Sequence, residues 1–248
     1  MILVTDFDNT LYSHSDPHVL INNLQASEIF RQNGNKFVLA TGRNISSLNR
    51  VLPNFYKYFD YIILNNGAIC LHQNRETIFQ YTIPANITQN ISHDILQQFN
   101  DNATFVYYDG TKEWPVLDHG ITKLRCWITN PQIGNEVLRL ISQKYSNRVK
   151  SFLAKEAVMS SVNWINNAER YRSFVDIMSK DAGKENAIRR LVSKFPDEDV
   201  VTIGDDTNDI GMLTTFNGYA MQGSVPEVLK ITPPGRIVSS VAELMQGI

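Results

Sequence analysis

The stretch ILVTDFDNTLY, residues 2–12, decides how the rest of the chain is read. An apolar, β-rich run, Ile2-Leu3-Val4-Thr5, ends in two acids one residue apart, Asp6 and Asp8. Asp and Asn are common turn formers, so a plain turn is one reading. The other is a site in which one carboxylate attacks and its neighbour moves a proton. The residues that follow the other apolar runs separate the two.

Two further short runs, Phe37–Ala40 and Tyr61–Leu64, predict strands in the first third of the chain. A helix is predicted between the first two strands. Asp16 suits its N-cap, Pro17 its first turn and Gly34 its end, and Leu20, Leu24, Ile29 and Phe30 supply apolar positions. A second helix is predicted from about Ser46 to Leu52, before Pro53. Strand–helix–strand–helix–strand implies parallel strands joined by right-handed crossovers. From about Thr82 to Ser173 this alternation disappears. There the pattern predicts strands at Thr104–Tyr108, Leu124–Thr129 and Val158–Asn163, and helices at Ile91–Phe99 and Gly134–Tyr145. The reading is an α/β core, residues 1–81 and 174–248, with an α+β domain inserted at 82–173. The parallel pattern then resumes with a helix at Lys184–Phe195, whose apolar residues recur with a 3.6-residue period. A strand at Val200–Ile203, a short helix near Asp209–Thr214, a strand near Gly218–Met221 and a helix from Val241 follow.

In an open parallel sheet, ligands bind beyond the carboxyl ends of the strands. After the first strand stand Asp6, Asp8, Asn9 and Thr10; after the second, Thr41-Gly42-Arg43; after the third, Asn65-Asn66-Gly67. After Val200–Ile203 comes Gly204-Asp205-Asp206-Thr207-Asn208-Asp209. If these strands are neighbours, Asp6, Asp8, Asp205 and Asp209 converge on one rim. Converging carboxylates repel, so some protonate or a cation sits among them. A hard divalent ion suits oxygen ligands, and Mg²⁺ takes a few carboxylates while contacting substrate phosphate. Asp6 could then attack phosphorus and Asp8 manage the proton. Thr10 would hold this loop, and Thr41 offers a hydroxyl to a phosphoryl oxygen. Lys184 opens its helix, where the dipole disfavours a cation by about 0.3–1 kcal/mol. A lysine placed there is explained by an anion it meets; a solvated lysine is the plain alternative. Each segment alone reads as a turn, a loop or an N-cap. Their ordered combination argues for a site.

The bulk numbers exclude some classes. Net charge is −2 with no basic block, so no nucleic-acid footprint is visible. Cys70 and Cys126 are far apart without metal-ligand spacing, which predicts buried free thiols and a reducing compartment. There is no charged leader before the first strand, and no apolar run approaches the ~20 residues of a membrane span. The expectation is a cytoplasmic protein, monomer or homodimer, with no membrane partner.

The segments Asp6-Phe7-Asp8-Asn9-Thr10, Thr41 in LATGR, Lys184, and Gly204, Asp205 and Asp209 match, in order, the four motifs of the haloacid dehalogenase superfamily. More narrowly, Ala40–Arg43, Asn66–Ala68 and Gly204–Met212 resemble the ATGR, NGA and GDxxNDxxM segments of its Cof-like sugar-phosphatase branch. The resemblance covers both flanks, about residues 1–81 and 174–248, and places a cap domain between them. It implies a Rossmannoid core and a Mg²⁺-dependent phosphatase of a small phosphorylated metabolite. It implies Asp6 as nucleophile and metal ligand, and Asp8 as general acid/base that also offers its backbone carbonyl to the metal. Thr41 and Lys184 would bind the transferring phosphoryl group, with Asp205 on the metal and Asp209 supporting it. Thr10, Gly42 and Asn208 would lie at the phosphate, and Arg43 and Asn66 would face the substrate. A phosphomutase with the same nucleophile stays open, with Lys112, Lys123, Arg125 and Arg170 as candidates for a second cationic pocket. So does a non-catalytic binding protein. Trp114, Trp127 and Trp164 either stack on a sugar or pack the inserted domain. Two departures stand out: Asn9 replaces the usual Gly, and Met221-Gln222-Gly223-Ser224 replaces Met-Gly-Asn-Ala. Asn tolerates a left-handed backbone, so the first is expected to be harmless.

Overall fold

The structure is a computed structural model that describes residues 1–110, 113–114, 119–154, 171 and 173–248. In chain order the described elements begin with β1 (Ile2–Thr5), α1 (Pro17–Gln32), β2 (Lys36–Ala40), α2 (Ile45–Val51), β3 (Tyr61–Leu64), β4 (Ile69–His72) and β5 (Thr77–Gln80). Next come α3 (Ala85–Phe99), β6 (Ala103–Tyr108), β7 (Glu113–Trp114), β8 (Lys123–Ile128), α4 (Pro131–Tyr145), β9 (Val149–Ala154) and β10 (Ser173–Ser179). The chain ends with α5 (Lys184–Val192), β11 (Val200–Gly204), α6 (Ile210–Thr215), β12 (Asn217–Met221), α7 (Pro226–Ile231), β13 (Ile237–Val238) and α8 (Val241–Gly247). It divides into two compact units. One is Met1–Arg43, Ser47–Phe79 and Gly183–Ile248; the other is Asn44–Ser46 and Gln80–Ala182.

The first unit is built on an eight-stranded sheet in the order β13-β12-β11-β1-β2-β3-β4-β5. Strands β13 to β3 run parallel, and β4 turns back antiparallel on β3. Residues 2–4 of β1 are wholly buried, as a central parallel strand covered on both faces should be. The Asn65-Asn66-Gly67 turn permits the β3–β4 reversal because Asn65, Asn66 and Gly67 all take positive φ. Strands β4 and β5 lie outside the sequence expectation, since their short runs follow a turn that reads equally well as a loop.

Helix α1 starts where Asp16 accepts from the His18 N–H, with Pro17 in the first turn, and ends before Gly34 at φ 84°. Its buried face differs from the apolar pattern. Ile29 is 62% exposed, whereas Asn23, Ser27 and Phe30 are buried. Asn23 explains the change, because its amide donates to the Leu11 carbonyl and accepts from the Ala242 N–H, both at 2.9 Å. A buried amide with both ends satisfied can displace an apolar residue from a packed face.

The second unit has a five-stranded antiparallel sheet, β7-β6-β8-β10-β9, with α3 and α4 packed on it. Alternation assigns Phe105, Leu124, Cys126, Ile128, Val175 and Ile177 to one core with both helices. Strand β10 lies between β8 and β9, whereas the sequence reading put residues 174–179 in the core segment. The run Ser173–Ser179 has no helical period, and only its pairing partners reveal which sheet it joins. Trp127 packs with Val106, Tyr108 and Tyr171, edge-on to Phe174 at 5.0 Å. The strand predicted at 158–163 and Trp164 lie outside the described residues. Cys70 and Cys126 are buried free thiols, and burial pushes the Cys70 thiol up to about 12.

Candidate active site

The sheet register sets the site. Thr5 pairs with Ile203, and the Asp6 N–H still donates to the Ile203 carbonyl at 2.9 Å. Asp6 and Asp205 therefore leave neighbouring strands side by side. Gly204 is required for what comes next: a Cβ there would lie 2.6 Å from Asp209 Cγ. Asp209 folds back over Gly204, and its Oδ2 accepts from the Asp205 and Asp206 N–H groups, both at 3.1 Å. Asp206 in turn accepts from the Thr207 N–H, and Asp206 and Asp209 together form a capping box at the helix start. Asp206 thus does cap chemistry alone, Asp209 both caps and joins the acid cluster, and Asp205 stays with Asp6.

Lys184 is the centre of charge. It opens α5, is 3% exposed, and its ammonium donates to Asp6 and, at 2.6 Å, to Asp209. The backbone before it is tightly specified. Gly183 has φ 124° and Gly67 has φ 90°, and a Cβ on Gly67 would sit 2.2 Å from the Gly183 carbonyl oxygen. Only glycine allows the Asn65–Gly67 turn to touch the peptide that leads into Lys184.

Carboxylate oxygens of Asp6, Asp205 and Asp209 lie within 4.8 Å of one another. Thr10 donates to Asp205 Oδ1 at 2.8 Å. Burial pushes the Asp6 carboxyl well above its ordinary range; Lys184 opposes the shift, and Asp209 adds to it. Asp205 is pushed up to about 6, first by burial and then by Asp209 and Asp206, against the Thr10 hydrogen bond. Burial works against the Lys184 charge, but Asp209 and Asp6 outweigh it and hold the ammonium protonated. When all three carboxylates ionise beside the one ammonium, two negative charges are left over among buried groups. That deficit, with the oxygen-only donor set, fits one hard divalent cation such as Mg²⁺.

Thr41 follows β2, fully buried, and its hydroxyl accepts from the Arg43 N–H at 3.1 Å. Asn66 donates its N–H to the Thr41 carbonyl at 3.0 Å and accepts from the Asn208 amide at 3.2 Å. Gly42 lies against Asn66, where a Cβ would meet Oδ1 at 2.9 Å. Thr41, Gly42, Asn66 and Asn208 are therefore one connected network.

Asp8 is more exposed than the buried acids and has other partners. Asn9, at φ 57°, turns the chain between Asp8 and Thr10, as the left-handed tolerance of Asn predicts. Both Asp8 oxygens accept from the Arg43 guanidinium, at 2.6 and 2.8 Å, and His14 Nε2 lies 3.4 Å from Oδ1. Arg43 also donates to the Ser47 carbonyl and lies over the Phe7 ring. Sequence reasoning missed His14, and it marked the segments of Gly67 and Ser224 without giving either residue a role. His14 is held edge-on by Tyr12, which stacks on Phe7; no spacing rule signals such a contact. Ser224 donates to the Gly204 carbonyl, and the Val225 N–H donates to that of Asp205, so the divergent Met221–Ser224 segment borders the acid turn. Of the four cations considered for a second anion pocket, Lys123 and Arg125 are engaged by buried Asp176. Lys112 and Arg170 lie outside the described residues.

The family model for haloacid dehalogenase-like hydrolases matches residues 3–234. An uncharacterized protein of Mycoplasma capricolum subsp. capricolum is 27% identical over 238 residues, 88% of this chain and 89% of that one. The crystal structure of SMU.1108c from Streptococcus mutans UA159 superposes with a TM-score of 0.78 at 16% identity, covering 99% of this chain and 97% of that one. The subclass IIB sugar phosphatase BT4131 superposes with a TM-score of 0.70 at 18% identity, covering 98% and 94%. At these identities the two structures establish a shared fold.

Proposed function

The chain belongs to the haloacid dehalogenase-like hydrolase family, and on that premise we propose that it is a Mg²⁺-dependent phosphatase of small phosphorylated metabolites. Sugar phosphates are the first class to test, and the reaction runs through an aspartyl-phosphate on Asp6. One observation carries this reading: Asp6, Asp205 and Asp209 cluster at the carboxyl ends of β1 and β11, with the buried Lys184 ammonium bonded to Asp6 and Asp209.

Asp6, Asp205 and Asp209 would hold the metal, with the Asp8 backbone carbonyl as a further oxygen. When bound, Mg²⁺ supplies positive charge that lets phosphate approach three acids and stabilises charge on the transferring group. Lys184 opposes the effect of burial on Asp6 and so favours the carboxylate, whose free oxygen is the nucleophile. That oxygen forms the bond to phosphorus as the ester P–O bond breaks, and the departing alkoxide takes a proton from Asp8. In the second half a water oxygen attacks phosphorus, the Asp6–phosphorus bond breaks, and the water proton returns to Asp8. Lys184 and the Thr41 hydroxyl bind the transferring oxygens, and the Thr41–Gly42–Asn66–Asn208 network frames them. Both oxygens of Asp8 are now on Arg43. Asp8 therefore reaches the leaving group only when the guanidinium releases one of them, which a partly exposed ion pair permits at a cost of about 1 kcal/mol. The unit of Gln80–Ala182 is the proposed source of substrate specificity.

The test is phosphate release from p-nitrophenyl phosphate and a sugar-phosphate panel with Mg²⁺. Wild type is expected to turn over and Asp6→Asn to lose activity by ~10³-fold or more, as removal of a covalent nucleophile should. Silence of the folded, metal-loaded wild type across the whole panel defeats the reading.

A further inference from the structure

The opposite end of the core sheet carries a cavity of about 450 Å³. Tyr61 opens β3 and pairs with His72, which closes β4, so the cavity lies at the strand ends away from Asn65 and Thr41. Among its lining residues are Tyr56, Lys57, His72, Gln73, Asn74 and Arg75. None of the lining residues is a carboxylate.

The polar groups of this wall are sorted by their hydrogen bonds. His72 Nδ1 accepts from the Asn74 N–H at 3.3 Å. Asn74 Oδ1 accepts from the Glu76 N–H at 3.0 Å, and Gln73 Oε1 accepts from Arg31 Nη2 at 3.2 Å. These three acceptors are engaged within the protein. Gln73 and Asn74 keep their NH₂ groups as donors for a ligand. Two permanent cations join them: the Arg75 guanidinium lies over the Tyr56 ring at 5.0 Å, and the Lys57 ammonium over the Tyr58 ring at 4.7 Å. Neither makes a salt bridge among the described residues. Arg75 also holds φ 74°, a left-handed backbone that Gly or Asn adopts more easily. A wall with two cations and amide donors, and with no carboxylate in its lining, is complementary to an anion with several oxygens, and the guanidinium fork matches phosphate geometry.

We propose that this cavity binds a phosphate-bearing anion. The ligand is either an inorganic oxyanion or a phosphorylated small molecule, and it is held by Arg75 and Lys57 with amide donors from Gln73 and Asn74. The site is independent of the hydrolase reading, since it shares no residue with the acid cluster.

The experiment is ¹H–¹⁵N NMR titration of the full chain in EDTA with inorganic phosphate, pyrophosphate and glucose 6-phosphate as separate probes. Without divalent ions the acids around Asp6 repel anions, so binding there is suppressed. At least one probe is expected to shift resonances of residues 54–58 and 72–76, with an affinity that falls as salt rises. The preferred probe shows which source fits. Arg75→Gly is expected to weaken that binding about tenfold or more, the scale of a charge-assisted hydrogen bond. Glycine accepts the same φ, so this variant should melt no lower than wild type. Lys57→Ala is expected to weaken binding as well. The proposal is overturned if no probe shifts these residues at millimolar concentration. It is equally overturned if the shifts gather instead around Lys184 and Asp205, or if neither variant changes the affinity.

Discussion

Lys184 and Asp205 show how much of the site single residues disclose. A lysine at a helix start is out of place electrostatically, and that misfit was readable; its partners, Asp6 and Asp209, were not, because they are 178 and 25 residues away. Removing the ammonium by Lys184→Met leaves two buried acids without their counter-charge. The expected loss is about 3–5 kcal/mol in urea unfolding with EDTA present; a loss under about 1 kcal/mol would show the acids already protonated. Asp205 makes a separate prediction about pH. Its carboxyl is pushed up to about 6 in the folded chain, against about 3.9 when unfolded. A raised carboxyl favours the fold while protonated, so this contribution is present at low pH and is lost as pH rises from about 4 through about 6. Asp6 is shifted in the same direction. In EDTA, Asp205→Asn should therefore stabilise the protein by about 1–2 kcal/mol at pH 7.5 and by much less at pH 4.5. An equal effect of the substitution at both pH values would refute the shift. Asn can still accept from Thr10, so that hydrogen bond is not the variable.

At the scale of elements, most of the regular structure was legible because it is locally encoded. The Asp16 cap, Pro17 and Gly34 delimit α1, and the apolar runs mark β1, β2 and β3 to within a residue. Strands β4 and β5, and the assignment of β10 to the smaller sheet, were not. A short strand carries little signal of its own, and its partner is chosen by pairing. The α1 core face was misread at Ile29 for a related reason: Asn23 is buried by two hydrogen bonds formed with distant backbone. The contact between Gly67 and Gly183 is the element-level feature that aims α5. Gly67→Ala places a methyl group against the Gly183 carbonyl and strains φ 90°. It should cost at least ~1–3 kcal/mol and lower phosphatase kcat, through the displaced Lys184, more than it raises KM. Asn9→Gly, which keeps φ 57° available, should change stability by no more than ~1 kcal/mol. A Gly67→Ala protein with wild-type melting and turnover would disprove the close approach.

At the scale of the whole molecule, each compact unit has its own sheet and its own buried residues. A metal held by Asp6, Asp205 and Asp209 stabilises only the unit that contains them. At one hundred times its dissociation constant it should add about 2.7 kcal/mol to that unit. Hydrogen exchange should then slow in β1, β11 and α5 on adding Mg²⁺, and stay constant in β6, β8 and β10. Equal slowing in both sheets would mean that the two unfold together. The sequence by itself determined the acids at the strand ends, the parallel alternation, the caps and the glycine and asparagine turns, because all of these follow from neighbours a few residues apart. Only the tertiary structure decided that β11 lies beside β1, so that Thr10 meets Asp205 across 195 residues. It alone placed Lys184 between two acids and drew Asp8 aside to Arg43. The physical reason is that strand order and ion pairing are settled by burial and hydrogen bonding between segments remote in the chain, and local periodicity holds no record of which remote segment will arrive.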